Sequence, residues 1–242
     1  ILGSVIILKS RGESMIKEKF KSFLARKMNL KSNAFYACSP HLSPALVDCI
    51  KKLTEDQSLG DKAYYEFGLF KGHSLWFAQQ IFSVYDQKEI SYYGFDSFSG
   101  LPKVEGIDEG GGFNEGDYSV SQNEVLLNLE KNSADLNKIQ LFKGFFSNEH
   151  FRNLEKSNQF KEPCLAVIDC DLYSSTVPVL DFLLPKIKSE TYILFDDYNC
   201  FEKDDGKGQR LALTEAKQKF PNLKWEELND FGWHGKTFKA SL

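Results

Sequence analysis

The chain has 242 residues, of which 42% are hydrophobic and 26% charged, and this length suffices to bury the core of one full α/β domain. The formal net charge of −4 argues against a general nucleic-acid binder, because such proteins carry a basic excess. No apolar run approaches the ~20 residues that span a bilayer, and the five cysteines form no CxxC pair. These features predict a cytoplasmic protein with free thiols in a reducing compartment.

Residues 1–60 are predicted to form an N-terminal helical extension. Within it, residues 9–31 are the most basic part of the chain, and apolar residues recur there at helical spacing. This pattern predicts an amphipathic helix. We expect the helix to pack on the main domain with its basic face in solvent. A lid, a contact between copies in a homo-oligomer and a surface for an anionic substrate are the alternatives.

Residues 61–242 alternate between strand-like and helix-like segments. The predicted strands are residues 62–68, 91–96, 139–144, 164–169, 191–195, 223–228 and 236–240, and the predicted helices are residues 73–85, a helix starting at 121, residues 176–188 and residues 208–220. Such alternation predicts an α/β fold of the Rossmann-like, doubly wound type. Its seven-stranded sheet is expected to be mostly parallel with an antiparallel last strand, and its ligands to lie beyond the carboxyl ends of the strands.

A glycine turn joins the first predicted strand to the first predicted helix. Glu66, Gly68, Gly72 and Ser74 lie in this turn. Glycine lets the backbone approach a ligand closely, and a helix start offers free N–H groups. The spacing is GxxxG and not the GxGxxG of dinucleotide-binding folds. The turn therefore favours an adenosyl ligand without a diphosphate, although two glycines often serve only the turn itself.

An acidic residue, Asp96, closes the second predicted strand, and Ser97 follows it. A carboxylate at this position can accept hydrogen bonds from both ribose hydroxyls of a nucleoside. Aspartate is also common as a cap of a turn or helix. Because the glycine turn and the acidic residue occur in order and each at a strand end, we expect nucleoside binding.

Four aspartates follow the fourth and fifth predicted strands: Asp169 and Asp171 after one, Asp196 and Asp197 after the other. If these strands are neighbours, their ends lie ~5 Å apart. Crowded carboxylates raise one another's pKa, and a hard divalent cation such as Mg²⁺ relieves the repulsion. A metal lowers the pKa of a hydroxyl and orients it, while a nearby carboxylate can accept its proton. Asp171 and Asp197 could instead serve only as caps.

Four short sequence motifs resemble those of a known protein family. They are YEFG at residues 65–68, GFDSFSGLP at 94–102, DCDLYSST at 169–176 and FDDY at 195–198. Across about residues 60–240 the chain resembles the macrocin O-methyltransferase family. The resemblance implies that residues 61–242 form a class I methyltransferase domain. It also implies S-adenosylmethionine as methyl donor, Mg²⁺ or a similar divalent cation, and a sugar hydroxyl as acceptor.

The same resemblance implies roles for individual residues. Asp169, Asp196 and Asp197 are expected to bind the metal, and Asp171 to be the base beside Asp169. Asp96 is expected to contact the ribose of the donor, while Glu66, Gly68 and Ser97 line its pocket. Residues 105–118, which contain three consecutive glycines, resemble a mobile flap over the site, and glycine content independently favours mobility.

Two other functions stay open at this point. A catechol-type O-methyltransferase has the same fold and cation but acts on a flat aromatic diol. A methyltransferase-like protein without catalysis would bind a nucleoside and serve in assembly. Crowded acidic residues argue against the second, since carboxylate repulsion has no use in a scaffold.

Overall fold

The computed structural model describes Phe35, residues 40–55 and residues 59–242. The strands in these parts of the chain are β1 (Ala63–Phe67), β2 (Ser91–Asp96), β3 (Ile139–Lys143), β4 (Pro163–Ile168), β5 (Thr191–Phe195), β6 (Lys224–Phe231) and β7 (Gly235–Ser241). The helices are α1 (Leu42–Thr54), α2 (His73–Val84), α3 (Gln122–Lys131), α4 (Asn148–Ser157), α5 (Tyr173–Leu183) and α6 (Gly208–Lys219).

The strands form one seven-stranded sheet in the order β3-β2-β1-β4-β5-β7-β6. The pairs among β1 to β5 are parallel, whereas β7 runs antiparallel to both β5 and β6. The predicted Rossmann-like α/β fold with an antiparallel last strand is confirmed. The order also confirms that β4 and β5 are neighbours, the condition on which convergence of the aspartates depends.

Helices cover both faces of the sheet, so the central strands have no solvent-facing side. All residues of β1, β4 and β5 are buried. On one face, α1, α2 and α3 pack against apolar side chains such as Tyr64 and Val167. On the other, α4, α5 and α6 cover a layer rich in aromatic rings, in which Phe67 stacks on Phe95 with centroids 4.8 Å apart. Burial on both faces explains the nearly continuous apolar runs of these strands.

Helix starts agree partly with the sequence. Ser121, the predicted start of this helix, caps α3 by accepting a hydrogen bond from the backbone N–H of Glu124. Helix α5 begins at Tyr173, three residues before the predicted start at 176. Helix α4 was not predicted, and Ser147 caps it. The predicted helix over residues 9–31 lies outside the described residues.

Helix α1 falls inside the predicted N-terminal extension but shares the core of the main domain. Its buried residues Leu46, Cys49 and Ile50 belong to the same apolar cluster as Tyr64 of β1. The four cysteines in the described part of the chain are buried free thiols, as expected. None of the helices described is both long enough and apolar enough to cross a membrane.

Candidate functional site

The carboxyl ends of β1, β2, β4 and β5 meet at one edge of the sheet. Backbone hydrogen bonds continue past the strands, from the N–H of Gly68 to Phe95, from Asp169 to Phe67 and from Asp196 to Ile168, with lengths of 2.8–3.0 Å. The structure thereby brings the glycine turn, Asp96 and the four aspartates to the same edge. This is the edge at which ligands bind in doubly wound folds.

Gly68 marks the closest approach of two strand ends. Its φ is +91°, and a Cβ atom built there would lie 1.7 Å from the carbonyl oxygen of Asp169. Only glycine fits this space and this backbone conformation. Gly72, with φ of +82°, immediately precedes α2, and its Cβ position lies 2.9 Å from Val125 Cγ1 of α3. Close helix packing therefore accounts for Gly72, whereas Gly68 shapes the edge itself.

Glu66 and Ser74 form a buried pair behind the glycine turn. The Ser74 hydroxyl donates to Glu66 Oε1 at 2.6 Å, and the Tyr64 hydroxyl donates to Oε2. Glu66 has no accessible surface. Burial raises the pKa of Glu66 to about 7, although both hydroxyl donors favour the ionised form. In this structure Glu66 ties the end of β1 to the first turn of α2.

Asp96 joins the glycine turn to the end of β2. Its Oδ2 accepts from the backbone N–H groups of Leu69 and Phe70 at 2.7 and 3.3 Å, and its Oδ1 from Phe98 at 2.6 Å. Burial raises the pKa of Asp96, and these three backbone donors oppose the shift. A carboxylate offers about four lone-pair positions, so it can accept another donor. Ser97 hydrogen-bonds within the following turn, to the Gly100 carbonyl at 2.7 Å.

Three carboxylates come together at the ends of β4 and β5. One carboxylate oxygen from each of Asp169, Asp171 and Asp197 lies within 4.8 Å of the other two. Within the described residues, these three form the cluster of potential metal ligands. Asp171 and Asp197 are buried, and Asp169 is half-buried. Oxygens that bind one Mg²⁺ at about 2.1 Å lie roughly 3–4 Å apart. The donor set therefore fits a hard divalent cation after small side-chain adjustments.

Asp196 is not part of this group. Its carboxylate Oδ1 lies 3.5 Å from Nδ1 of the buried His234, and the same ring nitrogen is 2.6 Å from the Asp196 carbonyl oxygen. Both residues lie in the turn that follows β5, where Asp197 joins Asp169 and Asp171 while Asp196 faces His234. This contact could not be predicted from residue spacing, because His234 lies 38 positions away on the β6–β7 turn.

Gln209 of α6 is a second contributor that the sequence analysis missed. It is fully buried, and its amide bridges the two strand ends: Oε1 accepts from the Asp197 N–H at 3.1 Å, and Nε2 donates to the Ile168 carbonyl at 3.0 Å. A glutamine in a helix has no pattern that indicates such a role. Gln209 fixes the spacing between the backbones that carry Asp169 and Asp197.

The glycine-rich segment of residues 105–118, called the flap below, is docked beside the acidic group. Phe113 and Phe201 pack with their ring centroids 6.0 Å apart, and Lys207 Nζ donates to the Glu109 carbonyl at 3.0 Å. Its far end folds back on residue 101 through the Gly116 N–H. The predicted position next to the site agrees with these contacts, and the mobility of the flap stays a prediction.

The contacts of His150, His73 and Cys170 indicate packing and not catalysis. His150 lies in the first turn of α4, with its ring against Gly144 at the end of β3. His73 is buried among aromatic rings and stacks on Phe77. Cys170 is buried, and desolvation raises the pKa of its thiol, which favours the unreactive protonated form of a core residue.

A curated relative and a family model give the first comparison with known proteins. The mycinamicin III 3''-O-methyltransferase of Micromonospora griseorubida is 24% identical over 161 residues, which are 63% of this chain and 61% of that relative. The chain therefore spans less than two thirds of the relative's length. A family model for macrocin O-methyltransferase (TylF) matches residues 42–214.

Two solved structures are similar in fold. The O-methyltransferase NovP has a TM-score of 0.70 at 20% identity, over 87% of this chain and 84% of NovP. The calicheamicin methyltransferase CalS11 has a TM-score of 0.61 at 20% identity, over 83% and 80% of the two chains, and is also described as a TDP-rhamnose 3'-O-methyltransferase. The match of the family model over most of the chain decides the assignment: the chain belongs to the macrocin O-methyltransferase family.

Proposed function

We propose that this protein is an S-adenosylmethionine-dependent and divalent-metal-dependent O-methyltransferase that acts on a hydroxyl of a sugar or glycosylated small molecule. The observation that carries the proposal is the group formed by Asp169, Asp171 and Asp197. It lies at the same edge of the sheet as Gly68 and Asp96. Family membership supports the reaction class, and the names of the mycinamicin and TDP-rhamnose enzymes support the type of acceptor.

The donor site is proposed at the ends of β1 and β2. S-Adenosylmethionine supplies an electrophilic methyl group when it is bound. Gly68 lets the ends of β1 and β4 approach closely at this edge, Asp96 has capacity to accept a ribose hydroxyl, and Ser97 lines the same turn. Glu66, Gly72 and Ser74 complete the assignment, with Glu66 and Ser74 holding the first turn of α2 through their hydrogen bond. Preorganised groups of this kind place the reacting atoms in line.

The metal is assigned to Asp169 and Asp197. The resemblance implies Asp196 as the third ligand, although its carboxylate lies beside His234 in the structure and would have to turn toward the other two. Bound Mg²⁺ would lower the pKa of the acceptor hydroxyl and orient it. Asp171 lies within reach of Asp169 and Asp197, and we assign it as the base that takes the proton from that hydroxyl. The acceptor oxygen would form a bond to the methyl carbon as the methyl–sulfur bond of the donor breaks. The donor would leave as S-adenosylhomocysteine, and the hydroxyl proton would pass to the Asp171 carboxylate.

A groove on the α1 side of the sheet has both polar and apolar side chains in its lining. It has a volume of about 240 Å³ and lies between α1 and the β6–β7 turn. His41, Asp48, Lys52, Asn229 and Asp230 are among the residues that line it. The His41 ring lies 5.9 Å from that of His234, which contacts Asp196. Some of these side chains can donate or accept hydrogen bonds, so the groove is a candidate surface for a hydroxylated ligand.

The decisive experiment measures transfer of a labelled methyl group from S-adenosylmethionine. Acceptors are a deoxysugar nucleotide, a glycosylated macrolide and catechol, each tested with Mg²⁺, with excess EDTA, and with EDTA followed by excess Mg²⁺. We expect methylation of a sugar-bearing acceptor that stops under chelation and returns with Mg²⁺. Undiminished turnover in EDTA would remove the metal from the proposal. Methylation of catechol alone would select the catechol-type alternative.

A further inference from the structure

Helix α5 starts at the acidic group without a capping side chain of its own. It begins at Tyr173, and the residue at its N-cap position, Leu172, is apolar and cannot accept a hydrogen bond from the helix. The flap supplies the acceptor instead. Asp108 Oδ1 accepts from the backbone N–H of Ser174 at 3.2 Å, although the two residues are 66 positions apart. Asp108 is only 3% exposed, which is unusual for a carboxylate on a glycine-rich loop.

The flap reaches the same segment at a second point. Phe113 is buried in a small apolar cluster with Leu172, Cys200 and Phe201. Leu172 has no accessible surface. The polar anchor at Asp108 and the apolar anchor at Phe113 therefore meet the residues that directly follow Asp171.

The backbone of Asp171 needs such support. Its φ is +63°, a left-handed conformation that is uncommon for a residue with a side chain. The next N–H, that of Leu172, closes a tight turn onto the Cys170 carbonyl at 2.6 Å. Unfavourable backbone conformations persist where the surroundings hold them. The turn at Asp171 is held at one side by the end of β4 and at the other by the start of α5.

We propose that Asp108 is a positioning residue that couples docking of the flap to the placement of Asp171. When the flap is docked, the Asp108 carboxylate caps α5 and holds the turn that carries Asp171 against Asp169 and Asp197. When the flap leaves, the Ser174 N–H loses its acceptor and the turn loses one of its supports. The inference rests on the proposed function, in which Asp171 takes the proton of the acceptor hydroxyl.

Three variants test the coupling. Asp108→Ala removes the cap, and Asp108→Asn keeps an oxygen that can accept from Ser174, because asparagine caps helices about as well as aspartate. Glu105→Ala is the matched control, since it removes the same charge from the same flap and loses only an exposed contact with Lys103. Thermal unfolding confirms that each variant is folded. Hydrogen–deuterium exchange of residues 105–118 is then measured in the free protein, together with kcat and KM for methyl transfer.

We expect Asp108→Ala to speed exchange in the flap about fivefold, the factor that corresponds to a typical helix cap. Its kcat should fall by at least that factor, and Asp108→Asn should restore both values to within about twofold of the parent. Flap exchange in Asp108→Ala equal to that of Glu105→Ala would overturn the inference, and so would failure of Asp108→Asn to rescue. The exchange measurement does not depend on turnover. It therefore still tests whether Asp108 holds the flap in place if no acceptor is methylated.

Discussion

Gly68 shows how a single residue limits what this edge of the sheet can tolerate. Its backbone conformation is left-handed, and the Asp169 carbonyl oxygen fills the position of a Cβ atom. Gly60 also has a positive φ, of +60°, but no atom lies within 4 Å of its Cβ position. Substitution at Gly60 therefore tests the effect of the positive φ alone, whereas substitution at Gly68 tests that effect together with the close approach of β1 and β4.

We predict that Gly68→Ala destabilises the protein by more than ~2 kcal/mol, whereas Gly60→Ala costs about 1–2 kcal/mol or less. Both variants place an alanine in a strained left-handed conformation, but only Gly68→Ala must also push apart two strand ends. Urea unfolding followed by circular dichroism measures the free energies. Equal losses in the two variants would show that strand approach adds nothing at Gly68.

The aspartates can be assigned one at a time through Mn²⁺ binding and turnover. We predict that Asp169→Asn weakens Mn²⁺ binding more than about tenfold, because even residues that only support a ligand contribute a factor of 10–100. Asp171→Asn should keep most of the affinity and lose about 10²–10⁴-fold in kcat, the contribution of a general base. If Asp171→Asn turns over as fast as the parent, the base has been misassigned.

Asp196→Asn settles the third metal ligand in the same binding measurement. Affinity as low as that of Asp169→Asn would place Asp196 on the metal, as the resemblance implies. Retained affinity would favour Asp171, which lies with Asp169 and Asp197 in the structure while Asp196 faces His234.

At the scale of elements, hydrophobic periodicity was sufficient to predict most of the sheet but not every helix. The runs of β4 and β5 are apolar because helices cover both faces, so their sequence alone indicated buried parallel strands. Helix α1 lies within the helical extension predicted for residues 1–60, and its Leu42, Leu46 and Ile50 follow helical spacing. Helix α4 buries a single apolar residue, Phe151, so it offers almost no periodic signal.

Some residues of the candidate site could be predicted from the sequence, and others could not. Asp169, Asp171 and Asp197 were predictable because each lies within three residues of the end of a strand, and neighbouring parallel strands end at one edge. Gln209, His234 and Asp108 reach that edge from a helix, a hairpin turn and a loop. Their approach depends on how these distant segments pack, and spacing along the chain does not encode it.

We predict that Gln209→Leu destabilises the protein by about 1–3 kcal/mol, because it removes the buried amide oxygen that accepts from the Asp197 N–H and one of the two donors to the Ile168 carbonyl. It should also weaken Mn²⁺ binding, since the amide fixes the spacing between β4 and β5 at the acidic group. Gln218→Leu is the matched control on the exposed side of α6. If Gln209→Leu behaves like Gln218→Leu in both measurements, the bridge has no role in holding the strand ends.

At the scale of the whole molecule, burial of Glu66 makes folding depend on pH. The pKa of Glu66 rises from an ordinary 4.5 to about 7, mainly because burial penalises the charged form. Between these two values the unfolded chain releases the proton while the folded protein keeps it. The free energy of unfolding therefore falls as pH rises through this window, by about 3 kcal/mol in total. The contribution is complete below pH 4.5 and lost above pH 7.

Glu66→Gln should remove this dependence, because glutamine cannot ionise and still accepts the hydrogen bond from Ser74. We predict that the parent loses stability relative to Glu66→Gln by about 2–3 kcal/mol between pH 5 and pH 8. Urea unfolding at several pH values measures the difference without donor or metal present. Glu130→Gln, an exposed carboxylate on α3, controls for the loss of one charge. A constant difference between parent and Glu66→Gln across this range would mean that Glu66 titrates alike in the folded and unfolded chain, and the buried pair with Ser74 would then hold a charged carboxylate throughout.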